Sequence, residues 1–199
     1  GAAGLAAATV SFPIMLMTMA FGMLVGYGTN AIISLRLGEQ DHEGAEQAFG
    51  QALMLFSLFA IVFTTLGLIF LSPLLRVFGA SDTIVPLAGE NMSIIRIGVF
   101  MFEMSFGAKS FVRGEGKPRV AMMTMIIGAT INTILDPIFI FGLDMGMRGA
   151  ALATVIAQSC SALWVLRYFL SSRSVLSIHR RNLKIKPELA RRVIKVGSP

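Results

Sequence analysis

The first 35 residues carry no charged side chain, and neither does the stretch from Gln47 to Leu75. Runs this long and apolar leave few folding options. About 20 apolar residues cross the hydrocarbon core of a bilayer as a helix, and a chain in lipid must satisfy its backbone hydrogen bonds within itself. The composition agrees: of 199 residues, 55% are hydrophobic and 14% are charged, against roughly 25% charged in a soluble domain. The predicted fold class is an all-α, polytopic membrane helix bundle.

Five spans are predicted, at about Leu5–Leu35, Gly50–Leu75, Asn91–Val112, Val120–Phe141 and Gly149–Leu170. The third is interrupted by Arg96, Glu103 and Lys109, the fourth holds Asp136, and the fifth is uncharged through Leu166. The connecting pieces are short and rich in Gly, Asp, Glu and Pro, as turns are. Each span alone could be a soluble core helix; five in succession read as membrane helices. Lys and Arg set the orientation. The loops after spans one, three and five hold Arg36, then Lys109, Arg113, Lys117 and Arg119, then nine residues from Arg167 onward. The opposite side holds Arg76, Arg96 and Arg148, so the ratio is fourteen to three, and the richer side is predicted to be cytoplasmic. The N-terminus then lies outside and needs an upstream span to carry it across. With no initial Met and no basic n-region, the chain reads as a piece of a longer protein. Residues 1–170 are expected to form a partial N-terminal transmembrane bundle that lacks its first helix. Residues 171–187 form a basic cytoplasmic linker near anionic lipid, and 188–199 start the next membrane helix.

The formal net charge of +6 does not point to nucleic acid. Its basic residues sit between and after apolar runs, not on one face of a soluble fold. A single cysteine, Cys160, excludes an intrachain disulfide framework and a Cys-based zinc site. No nucleophile-elbow, P-loop, zincin or dinucleotide motif is present, so no enzyme is predicted.

Ionisable groups within a span are candidates for function. Asp136 stands four residues after Asn132, so the amide and the carboxylate share a helix face. Pro137 has no N–H to donate to the Thr133 carbonyl. Carboxylate, amide and loose carbonyl make an oxygen-rich place for a proton or a small hard cation; the structural alternative is an Asp-Pro helix end. Asp136 and Thr154 each lie nine residues from Met145, roughly 14 Å along a helix, which predicts one depth for both. Thr154, Gln158 and Ser161 form a polar stripe, and Gly149, Ala153 and Ala157 a strip of small residues that permits close helix contact. Their hydroxyls could equally bond only their own helix. Glu103, seven residues after Arg96, is either half of a structural ion pair or a secondary site, with Gln158 a second such candidate. Lys109 and Arg113 are expected to snorkel.

Several segments together resemble the MATE family, the multidrug and toxic compound extrusion transporters. They are Gly4–Pro13, Ser34–Asp41 with Ala45, Arg113-Gly-Glu-Gly-Lys-Pro118, Asn132-Thr-Ile-Leu-Asp-Pro137 and Met145–Thr154. The resemblance implies twelve helices in two bundles around a cleft, this chain corresponding to helices two to six and the start of helix seven. It implies an ion-coupling site at Asn132, Asp136 and Thr154, and a cytoplasmic gate at the Arg113–Gly116 turn with Arg113 and Glu115. The function so implied is a multidrug efflux antiporter of the cell (inner) membrane. It would exchange lipophilic or cationic compounds for protons or sodium, with no other cofactor. The alternatives are a lipid-linked oligosaccharide flippase of the same superfamily, whose cleft should be more basic, and a membrane scaffold.

Overall fold

The structure, a computed structural model, describes residues 2–77, 79, 81, 84–171, 173–177, 182–183 and 186–198. The side chains of 2–8, 10, 11, 71, 74, 87, 90–92, 96, 97 and 147 lie outside that description. Among the described residues six α-helices follow one another: α1 Ala2–Gly38, α2 His42–Val77, α3 Val85–Gly114, α4 Pro118–Pro137, α5 Gly146–Phe169 and α6 Pro187–Gly197. A π-helical turn, Ile138–Gly142, extends α4. All five predicted spans fall on helices α1 to α5. Four of these, α1, α2, α4 with its π turn, and α5, are long and apolar enough to cross a membrane. α3 is long enough at 30 residues but carries more charge. It is the central helix, packed against α1, α2, α4 and α5, so its polar groups face protein where a lipid-facing helix would have apolar ones.

The turns explain where the helices stop. α1 ends at Gly38, and Gln40 takes a left-handed φ of 60°. Asp41 then accepts the Gly44 N–H at 2.8 Å and the Arg36 guanidinium at 2.9 Å. One carboxylate therefore caps the start of α2 and ties it to the end of α1. Between α3 and α4, Gly116 supplies φ of +75°, and Pro118 begins the next helix, where its missing N–H costs nothing.

The core beneath these turns is aromatic. Phe49 of α2, Phe111 of α3 and Phe169 of α5 meet with ring centroids 5.5 and 4.5 Å from Phe49. By contrast Met122, Met123, Met125, Ile126 and Ile134 of α4 are exposed, the pattern of a helix whose outer face meets lipid. α6 packs on α1 and α2. It crosses α1 where Gly28 faces the Val193 carbonyl and Gly197 faces the Leu24 carbonyl, so closely that a Cβ on either glycine would overlap the opposing backbone.

Candidate functional site

The Asn132–Asp136 pair forms as its spacing predicts. The Asn132 amide donates to Asp136 Oδ1 at 3.4 Å, at the long end for an N–H···O bond, and both residues are half-buried. Just beyond, Pro137 breaks the α-helical ladder and the chain widens into the π turn, where the Leu143 N–H reaches the Ile138 carbonyl at 2.9 Å. Such π turns are frequent at functional sites.

The Thr154 hydroxyl donates to the Ala150 carbonyl at 2.9 Å, a bond within its own helix. Thr154 lines, with Asn132, a cleft of about 230 Å³ between α4 and α5. Gln158, Ser161, Thr124 and Lys109 line it too, and Asp136 is not among the described lining residues. Gly149 lies opposite Phe139, and Gly128 opposite Ala157 and Ser161, so α4 and α5 are symmetric about residue 144 or so, close to Met145. That register brings Thr154 level with Ile134, midway between Asn132 and Asp136. Asn132 is bonded to Asp136 along its helix and lines the cleft with Thr154.

Within the cleft the Ser161 hydroxyl donates to the Thr124 carbonyl at 3.2 Å, while Gln158 Oε1 is buried without a hydrogen-bond partner. Small residues permit the approach, with Gly149, Ala153 and Ala157 all buried. The Lys109 ammonium lies 4.6 Å from the centre of the Phe106 ring, and the residue faces the cleft.

Glu103 is fully buried, and neither carboxylate oxygen has a hydrogen-bond partner. The side chain of Arg96 lies outside the described residues, so the Arg96–Glu103 pair does too. Against Glu103 stands Gly22 of α1, where a Cβ would come within 2.6 Å of Oε2.

The Arg113–Gly116 turn separates its two candidates. Arg113 bonds back along α3, to Ser110 Oγ at 3.2 Å and the Lys109 carbonyl at 3.3 Å. Glu115 reaches across to the chain after α5. It accepts the Tyr168 hydroxyl at 2.5 Å, the Ser174 hydroxyl at 2.5 Å and the Leu176 N–H at 2.8 Å. Lys117 adds a bond from its ammonium to the Arg173 carbonyl. Neither the role of Tyr168 nor the place of Lys109 had a signal in the sequence, because both depend on which helices become neighbours. Among the described residues, no group of three His, Cys, Asp or Glu side chains could hold a metal ion.

Long apolar helices around a charged central helix, with a polar cleft between two of them, define a multi-pass membrane bundle. The chain belongs to the MatE family, whose model matches residues 1–138. It is 27% identical over 195 residues to the multidrug export protein MepA of Staphylococcus aureus (strain NCTC 8325 / PS 47), covering 98% of this chain and 43% of that protein. It superposes on an inward-facing conformation of a multidrug resistance MATE family transporter of the MOP superfamily with a TM-score of 0.92 and 30% identity, covering 99% of this chain and 45% of that one. An outward-facing conformation of such a transporter gives 0.92 and 30% as well, over 99% and 44%. The chain thus spans less than half the length of the relatives it matches.

Proposed function

We propose that this chain forms the first bundle of a multidrug efflux antiporter, a multi-pass protein of the cell membrane. It exports lipophilic or cationic compounds in exchange for protons or sodium. The observation that carries the reading is the hydrogen-bonded Asn132–Asp136 pair at the π turn, in a family whose relatives include a named multidrug exporter. In this reading Asp136 takes the coupling ion, and Asn132 and Thr154 complete its site. Glu115 and Arg113 belong to the cytoplasmic gate. Binding at Asp136 favours one of two arrangements of the bundles, because a ligand shifts an equilibrium only through unequal affinity for the two states.

Asp136→Asn tests this. The substitution keeps size and most hydrogen bonding and removes the charge. The full-length variant is expected to insert and express normally yet lose dye efflux from energised cells. Asn132→Ala should show a milder defect. Undiminished efflux by Asp136→Asn at matched protein level moves the coupling site elsewhere.

One observation favours the flippase alternative. The cleft holds the cation Lys109 and no described acid. Lys109→Met separates the two readings: a lipid-linked anionic substrate would lose transport, whereas export of an organic cation would persist.

A further inference from the structure

A second and larger cavity, of about 630 Å³, lies at the end of the bundle where α4 begins and α5 ends. Its walls carry three cations, Lys117, Arg167 and Arg173, and no described acid. Two aromatic residues complete it, Trp164 and Tyr168. Trp164, Arg167, Tyr168 and Ser171 follow at intervals of three, one and three, one face of the end of α5. We propose that this cavity is a binding site for the headgroup of an anionic phospholipid.

Four observations converge. First, the charge is unbalanced: Arg167, Arg173 and Lys117 make no ion pair among the described residues. The Glu115 carboxylate, held by the neutral donors Tyr168, Ser174 and Leu176, offsets at most one of the three. Second, the loop carrying Arg173 is held in place. Lys117 donates to the Arg173 carbonyl, and its ammonium lies 5.5 Å from the centre of the Tyr168 ring. The cations are therefore arranged before the lipid arrives, which lowers the ordering cost of binding. Third, the residue preceding α4, Lys117, offers no side-chain acceptor to the first turn of the helix. The partial positive charge of that helix end remains uncompensated beside the cavity, and an anion is what compensates it. Fourth, one wall is apolar. Val120 lines the cavity, Met123 lies one turn further along the same face and is exposed, and Trp164 is 43% exposed. Tryptophan favours the level of the headgroups, and this wall suits the upper part of an acyl chain. A basic pocket between helices with an interfacial aromatic rim fits a lipid phosphate. The site is remote from the Asn132–Asp136 pair and stands whether or not that pair couples an ion.

Native mass spectrometry of the full-length protein tests the proposal, with phosphatidylglycerol and phosphatidylcholine titrated separately. Wild type should retain phosphatidylglycerol in preference; equal retention of the two overturns the site without any variant. Arg167→Gln with Arg173→Gln, two exposed positions, should weaken phosphatidylglycerol binding roughly tenfold and leave phosphatidylcholine binding unchanged. Arg191→Gln with Arg192→Gln, exposed cations of α6, should leave both unchanged. An equal loss in that control would mean general charge attraction and would overturn a defined site. Displacement of the lipid by inorganic phosphate at equal concentration would assign the cavity to free phosphate.

Discussion

Glu103 shows how much one residue depends on the space its neighbour leaves. It is wholly buried and its oxygens have no hydrogen-bond partner, an arrangement that is costly to maintain. It is accommodated because α1 presents Gly22 at that level. Gly22→Ala places a methyl group 2.6 Å from Oε2, so the buried carboxylate must swing aside, at a cost of about 1 kcal/mol. The full-length variant should therefore unfold at a lower temperature in detergent. In a Glu103→Ala background the same substitution should cost little, since the clashing atoms are gone. Equal losses in both backgrounds would show that the contact is not responsible. Thr154 carries the opposite lesson. Its hydroxyl donates its proton to Ala150, so any contribution to ion coupling comes from the oxygen as an acceptor on the cleft it lines with Asn132.

At the level of elements, the turn between α3 and α4 does more than reverse the chain. Glu115 gathers three donors from the end of α5 and the segment after it, and Ser177 and Lys186 are tied through their backbone N–H groups to Glu46 and Gln51 of α2. The described residues of the polar segment after α5 are therefore tied to the bundle at these points. Hydrogen bonds to a charged acceptor contribute about 1.5–3 kcal/mol each when well formed. Glu115→Ala should release residues 171–177, and limited trypsin cleavage after Arg173 in the detergent-solubilised protein should quicken roughly tenfold. Glu115→Gln, which keeps an acceptor oxygen, should fall between. Unchanged cleavage of the Ala variant would mean that the other contacts hold the segment alone.

For the whole molecule, the informative fact is that the chain matches inward-facing and outward-facing transporters equally, at a TM-score of 0.92 each. The matched parts of those two structures are therefore alike, which predicts that this bundle moves as one body. Spin labels at Glu39 and Leu143, near opposite ends of the bundle, should keep their distance within about 2 Å when the full-length protein is switched between ion-bound and ion-free conditions. A larger change would place part of the motion inside the bundle. Orientation is tested separately. Ser177→Cys in a Cys160-free protein should resist an impermeant thiol reagent in intact cells and react after permeabilisation. Labelling of intact cells would reverse the topology read from the Lys and Arg distribution.

The amino-acid sequence by itself determined the all-α membrane class and the five helices, because span-forming hydropathy is a sum over consecutive residues. It also determined the Asn132–Asp136 pair, since four residues along a helix bring two side chains to one face whatever surrounds them. Only the tertiary structure decided what those residues meet. Thr154 comes level with Ile134, between Asn132 and Asp136, because Gly149 seats against Phe139 and Gly128 against Ser161, contacts that set the register of α4 on α5. Lys109 faces the cleft because α3 is central, and Glu115 finds Tyr168 fifty-three residues away because α5 ends beside the turn where α4 begins. Local spacing carries the first kind of information, and the helix-to-helix fit that carries the second leaves no period in the sequence.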